Sequence, residues 1–491
     1  MGIVAISSES LIHSIMAQSQ WIKRFCFQLR LKSSQLFIIA ASVLLSLLIT
    51  LICVGLTIRY EVSNEVANLG DVDYWKDAVS AQQKLWYDKG IEELKDAMAM
   101  RTSESQPRNI QILVINGIDA PALANARFSS SQPSNFVWDR FPHVARIKNS
   151  CSHSSPCNAA NVIKAIWTGV PLKAAPKLDS SCGHNASHAG QLLSVLRLAQ
   201  LAGRRTGFVT NQRITGATAA ALYANVAQTS WECDGLVPVD AIESGCEDVA
   251  QQLISGETGQ NLNVLIGGGR QLLSANVSTF PYDPLDELLC RARSGRNLLR
   301  DWLQHKLKLK PSKHFELVQR EEQLSTVNGN SLDYLLGVLA NGDLSRNSQA
   351  PSLAIMVDKT LQVLRRPVVG HLLIVEHYVQ QQGEARVKEL QLLNATLANL
   401  LGPKDTLTLV LLTNANNLSS AETQIVSTLQ EAFDEQGSHL QRRMQQMPSE
   451  SLLFATGPKS SLFYSVHEET YLAHALSYAL GMDVFGRQLQ L

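Results

Sequence analysis

Apolar residues along this chain follow two alternating rhythms. Short runs rich in Val, Ile and Leu, at Ile110 to Ile115, Gly207 to Thr210, Asn263 to Ile266, His371 to Val375 and Thr406 to Leu412, read as strands buried on both faces. Between them lie longer stretches suited to helices: Leu85 to Met100, Gln191 to Leu201, Thr218 to Ala227, Cys246 to Ile254, Ser352 to Leu364, Arg386 to Leu400 and Glu422 to Phe433. Strand alternating with helix predicts an α/β fold with a doubly wound, mainly parallel central sheet flanked by helices. From Arg127 to Cys157 the chain is rich in Ser, Pro and Asn, which predicts loops around one extended piece, Phe141 to Lys148.

The stretch Asn109 to Arg127 carries the first sharp signal. Its apolar run stops at Asn116-Gly117, and Pro121 then opens an alanine-rich helix. Strand, tight loop and helix in that order place Asn116 at the carboxyl end of a buried strand, where ligands gather in open α/β sheets. A metal-dependent hydrolase wants a carboxylate at such a point, because Zn²⁺ and Mg²⁺ favour anionic oxygen over an amide. The plainer reading is a turn, since Asn before Gly is a common turn pair. Gly267-Gly-Gly269 likewise reads as a tight turn after a strand, because it lacks the Lys-Ser/Thr of a phosphate-binding loop.

One segment departs from both rhythms. Leu36 to Ile58 runs 23 residues without a charge, long enough to cross a hydrocarbon core of about 30 Å as a helix. Lys23, Arg24, Arg30 and Lys32 precede it, whereas Glu61, Glu65, Asp71 and Asp73 follow with Arg59 and Lys76. That asymmetry predicts a single-pass type II membrane protein: a cytoplasmic tail at 1–35, a transmembrane helix at 36–58, and an extracellular or lumenal domain at 59–491. Six cysteines follow the span, enough for up to three disulfides, and they form no Cys-x-x-Cys metal pattern. Glycosylation sequons begin at Asn185, Asn276, Asn394 and Asn417, as expected of an exported glycoprotein. Formal charge is zero and 45% of residues are hydrophobic, so the composition supports a large core and gives no reason to expect a nucleic-acid partner.

Gly207-Phe-Val-Thr-Asn-Gln-Arg-Ile-Thr-Gly-Ala-Thr-Ala-Ala-Ala-Leu-Tyr-Ala, with Trp231-Glu-Cys-Asp beyond it, resembles the alkaline phosphatase family. Gly245-Cys-Glu-Asp-Val-Ala-Gln-Gln-Leu and Asn263-Val-Leu-Ile-Gly-Gly-Gly-Arg270 resemble its next landmarks in order, and the likeness extends from Tyr74-Trp75 to Tyr471-Leu-Ala-His474. The resemblance implies a homodimeric fold that, in active members, uses zinc, magnesium and a serine nucleophile on phosphate monoesters. It also implies that Cys182 and Cys246 pair.

Position by position, the resemblance implies a degenerate site. Asn116 stands for the aspartate bridging zinc and magnesium, Ala159 for the serine nucleophile, and Thr229 for the arginine that clamps phosphate. Gly216 replaces a histidine of animal members, and Ala340 a glutamate of their peripheral calcium site. Gln381, Ala385, Thr413, Asn414 and Gln446 occupy the positions of the remaining zinc ligands, with the register of Thr413 and Asn414 open by one residue. Thr218 and Glu376 retain two magnesium-type ligands. Without a nucleophilic side chain the covalent phosphoserine route is closed, and neutral Asn, Gln, Ala and Thr do not hold zinc at useful affinity.

The expectation is therefore a membrane-anchored pseudophosphatase with no required cofactor and at most a weak magnesium site, whose partner is a second copy or a homologous active phosphatase. The alternatives are a divergent phosphomonoesterase and a carrier or receptor module that uses the old cleft for an uncharged ligand.

Overall fold

The structure, a computed structural model, describes residues 38, 40–54, 56, 80–99, 105–128, 136–149, 159–171, 192–226, 228, 230–308, 313–366, 369–381, 383–402, 404–413 and 449–481. Two compact units divide the chain, Met1–Val72 and Asp73–Leu491. In the first, 40–54 is helical with its apolar side chains exposed, and among the described residues no helix is long and apolar enough to cross a membrane.

The second unit is built on one sheet of ten strands. In chain order these are β1 (Asn109–Asn116), β2 (His143–Asn149), β3 (Arg205–Arg213), β4 (Val264–Gly268), β5 (Phe315–Val318), β6 (Tyr334–Val338), β7 (His371–Tyr378), β8 (Thr406–Thr413), β9 (Ser449–Thr456) and β10 (Ser465–Glu468). Across the sheet they run β10-β2-β9-β8-β1-β7-β3-β4-β6-β5. Only the pairings of β9 with β2 and β8 are antiparallel; the rest are parallel.

All five strands expected from the apolar runs are present, some a few residues longer, and the extended piece at Phe141 becomes β2. The short β5, β6 and β10 and the antiparallel β9 are strands that the apolar runs do not predict. A strand of four or five residues carries too few alternations to stand out from a loop.

Helix boundaries differ from expectation where tertiary partners cap them. The helix expected from Gln191 begins at Val195, because the Ser194 hydroxyl accepts the Arg197 N–H as an N-cap. The alanine-rich helix is Ala217–Tyr223 and stops short of Ala227. Its last carbonyls, on Ala221 and Ala224, accept hydrogen bonds from Lys164 Nζ at 3.2 and 2.6 Å, and Ala224 turns extended. Val249–Ser255 starts after Cys246, capped by Asp248. Leu353–Leu364 begins just after its Ser352 cap, as expected, and Gly383–Leu400 opens three residues early. Ala81–Ala99 buries Gln83, Tyr87, Ile91 and Leu94 at helical spacing. The expected helix from Glu422 to Phe433 lies outside the described residues.

Two apolar layers cover the faces of the sheet. Ile110, Ile112 and Val114 of β1 join Leu372, Ile374, Phe208, Leu407, Leu409 and Leu411 in one layer, while Leu113 and Ile115 join Leu373, Val375, Val209, Val410 and Leu412 in the other. That strict alternation decides which side chains emerge together where the strands end.

Candidate functional site

Register brings four polar side chains to one point. Val114 of β1 pairs with Glu376 of β7, Glu376 with Thr210 of β3, and Asn116 with Thr413 of β8. By alternation Asn116, Glu376, Thr210 and Thr413 all leave the sheet on the face of the first layer. Each is buried. Gly117, in the left-handed region at φ 86°, reverses the chain directly after Asn116, and its N–H donates to the Thr413 carbonyl at 2.8 Å. Glycine makes the turn, and the asparagine side chain faces inwards.

The four side chains close a hydrogen-bond network. Asn116 Nδ2 donates to Glu376 Oε1 at 2.6 Å, and the Thr413 hydroxyl donates to Asn116 Oδ1 at 2.7 Å. Thr210 donates to Glu376 Oε2 at 2.7 Å and itself accepts the Gln212 N–H at 3.0 Å. Burial pushes the Glu376 carboxyl above its ordinary value, and the charge of Asp343 adds to that; the hydroxyls of Thr218 and Thr210 and the Asn116 amide oppose it. Thr218 is near enough to influence this carboxyl, yet its buried hydroxyl completes no hydrogen bond. It borders a cavity of about 30 Å³ with Asn116, Gly216, Glu376 and Tyr378, room for about one water molecule.

Beside this centre stands a charged cluster that the sequence patterns do not single out. Arg213 follows a register shift in β3 and donates through Nε and Nη2 to both oxygens of Glu232, at 2.6 and 2.7 Å. Its Nη1 and its backbone N–H both reach Asp343 Oδ1 at 3.0 Å, and Thr215 donates to Glu232 at 2.9 Å. Burial by itself lowers the guanidinium, but the charges of Glu232 and Asp343 outweigh it and hold the group well above its ordinary value. Neighbouring Cys233 is bonded to Cys290, 57 residues away, which fastens the Glu232 segment. A readable signal exists, since Arg213 and Glu232 sit inside the stretches that name the family, but charge alone does not reveal burial.

The other sequence candidates separate. Gly216 caps the helix Ala217–Tyr223 at the cavity wall. Ala340 lies in the apolar layer beyond β6, where its carbonyl accepts the Gly269 and Arg270 N–H groups. Gln381 and Ala385 are exposed: the chain leaves β7 after Tyr378, and Gln381 donates its N–H to Glu389 at 3.2 Å. Ala159 is the first residue of the helix Ala159–Thr168. Thr229, Asn414 and Gln446 lie outside the described residues, as do Asn185, Asn417 and Cys182; Cys246 is disulfide-bonded. In the triple-glycine turn, Gly267 and Gly268 complete β4 and only Gly269, at φ 100°, makes the turn.

A zinc pair does not fit these residues. Among the described residues no group of three or more His, Cys, Asp or Glu side chains converges as a metal site. Both oxygens of Glu376 already accept short hydrogen bonds, one of them from the Asn116 amide N–H. The open Thr218 hydroxyl and the small cavity suit a water better than a divalent ion, which needs several oxygen donors.

A mixed, mostly parallel sheet with a polar centre at the carboxyl ends of β1, β3, β7 and β8 is a doubly wound α/β architecture, and comparisons make the family definite. The structure matches alkaline phosphatases of Thermus thermophilus (TM-score 0.54, 16% identity, covering 79% of this chain and 94% of that one) and of the Antarctic bacterium TAB5 (TM-score 0.51, 15% identity, 77% and 99%). In sequence it is 26% identical to an alkaline phosphatase of Gadus morhua over 81% of this chain and 97% of the relative. It is 25% identical to the tissue-nonspecific alkaline phosphatase isozyme of Homo sapiens over 81% and 88%. The alkaline phosphatase family model matches residues 107–394, and the chain belongs to that family.

Proposed function

We propose that this protein is a catalytically degenerate member of the alkaline phosphatase family, a membrane-anchored domain that binds rather than hydrolyses. One observation carries the reading: the Asn116 amide donates to Glu376 while Thr413 donates to Asn116. The chain thereby satisfies with its own N–H and O–H groups a buried carboxylate that otherwise requires a cation. Ala159 in the nucleophile position supports it, since alanine offers no atom to attack phosphorus.

The uncharged run 36–58, with Leu44, Leu45, Leu48 and Leu51 more than half exposed, supports a type II membrane anchor. The partner is a second copy or a homologous active phosphatase, meeting this chain through a symmetric surface. A divergent phosphomonoesterase and a carrier for an uncharged ligand are the competing readings.

The test uses the full chain purified in detergent, supplied with zinc and magnesium and assayed on an aryl phosphate, with bound metal counted on the same sample. The expected result is no turnover above a heat-inactivated control and no stoichiometric zinc. Turnover with bound zinc overturns the proposal and makes the chain a divergent enzyme. Co-purification of a homologous phosphatase separates a dimer partner from a carrier.

A further inference from the structure

Away from the Asn116 centre, a cleft of about 290 Å³ lies between residues 274–278, the first turns of the helix Leu298–Leu307 and the end of β5. Leu299, Leu303 and Leu317 supply an apolar floor; Ser278, Asn297, Gln319 and the exposed, charged Arg300 supply a polar rim. Arg270 at its back is already committed, donating to Asp283 at 3.1 Å, to Asn341 at 3.2 Å and to the carbonyls of Gln319 and Val338. That leaves no buried charge free to select an anion. An apolar floor with hydroxyl and amide groups at the rim matches a sugar ring, which is apolar across its face and polar around its edge. The volume, near the lower end of ligand sites at about 300 Å³, suits one ring rather than a chain of them.

The mouth of the cleft supplies a tether. Asn276 borders it, is exposed, and opens the sequon Asn276-Val277-Ser278, with its backbone carbonyl accepting from the Ser274 hydroxyl at 3.3 Å. Asn394 differs in every respect. It lies within the helix Gly383–Leu400, is half-buried, and its Oδ1 accepts the Val137 N–H at 2.6 Å, joining that helix to the short turn Val137–Arg140. A glycan on Nδ2 of Asn394 has to fit against the half-buried face that its Oδ1 holds to Val137, whereas at Asn276 it meets solvent and a cleft.

We propose that Asn276 carries an N-linked glycan whose first sugar lies in this cleft, and that Asn394 stays bare. The inference rests on residues 59–491 being exported. In the transfer, Asn276 Nδ2 loses a proton and bonds to the anomeric carbon of a lipid-pyrophosphate-linked oligosaccharide of the secretory membrane. The carbon–oxygen bond to pyrophosphate breaks, and the lipid pyrophosphate leaves with that electron pair.

The full chain, expressed in cultured eukaryotic cells and purified in detergent, is treated with a glycan-releasing amidase in heavy-oxygen water, native and denatured, and each sequon is read by mass spectrometry. The expected pattern is occupancy at Asn276, none at Asn394, and release from Asn276 about tenfold slower in the native protein, because a seated sugar is reached only through local opening. Release from native protein as fast as from denatured protein overturns the seat in the cleft. Asn276 bare with Asn185 or Asn417 occupied overturns this inference while leaving export standing, and an occupied Asn394 overturns its second half. All four bare overturns the export reading together with this one.

Discussion

Two buried polar clusters stand side by side at the carboxyl ends of the strands, and they solve opposite problems. In one, Arg213 is clamped between Glu232 and Asp343. In the other, the single carboxylate Glu376 is held by an amide and a hydroxyl, with no basic side chain among its hydrogen-bond partners. Removing a charge from water costs several kcal/mol unless a counter-charge with good geometry offsets it. Where the chain carries its own counter-ion, two acidic groups persist in the interior. Where the chain places no basic side chain, the position next to Glu376 is an amide, and the like-charge repulsion of a second carboxylate is absent. The lesson is that a buried carboxylate is held in two ways, by a counter-charge on the same chain or by N–H and O–H donors aimed at both its oxygens.

Breaking the charged cluster is expected to have the largest effect. Arg213→Ala leaves buried Glu232 and half-buried Asp343 without their counter-charge and should lower stability by about 3–5 kcal/mol, read by denaturant unfolding. If the variant does not fold, Arg213→Lys, which keeps the charge and loses the bidentate fork, should still melt well below the parent. An unchanged midpoint for both removes the contrast between the clusters.

Next comes the neutral cluster made charged. Asn116→Asp places a second carboxylate against Glu376 and should destabilise by roughly 2–3 kcal/mol in chelator. Magnesium or zinc should restore some of that loss in the variant and leave the parent's melting temperature unchanged. A parent that also shifts with divalent cation shows that the centre holds a metal after all.

A smaller effect, of opposite sign, sharpens the same point. The Glu376 carboxyl is raised in the folded state, so between its unfolded value near 4.5 and its folded value the folded chain binds more protons than the unfolded one. Stability contributed by this group is therefore full at low pH and falls as pH rises through that window. Glu376→Gln, which keeps the shape and removes the charge, should gain roughly 1 kcal/mol at neutral pH and flatten that region of the pH profile. Melting curves across the acid to neutral range provide the check, and a loss of stability at neutral pH sinks the account of a strained carboxylate.

The smallest change belongs to a position outside both clusters. Gln381→Ala, on the exposed segment beyond β7, should alter stability by less than about 0.5 kcal/mol. A large effect there returns Gln381 to the centre.

Much of this architecture is legible in the residues. Long buried strands announce themselves because both faces must be apolar, so β1, β7 and β8 stand out as unbroken runs; Asn116-Gly117 marks the end of β1 through glycine's freedom at positive φ. The identities of Asn116 and Glu376 at strand ends and the family itself are likewise available from sequence. Short β5 and β10, the early end of the helix at Tyr223, and the exposure of Gln381 and Ala385 are not, because each depends on groups distant in the chain. Lys164, for example, stops a helix by taking carbonyls 57 and 60 residues away.

What the sequence by itself determined is therefore the kind of sheet, the family and the chemical identity of residues such as Asn116 and Glu376. Only the tertiary structure decided that Asn116, Thr210, Glu376 and Thr413 converge, since that convergence rests on the register of four strands widely separated in the chain. It alone disclosed that Arg213 answers Glu232 and Asp343, and that Asn276 opens on a cleft while Asn394 is locked against Val137. Local patterning encodes periodicity and turn chemistry within a window of several residues. Burial, counter-charges and the direction of a side chain are set by neighbours that arrive only when the sheet is assembled.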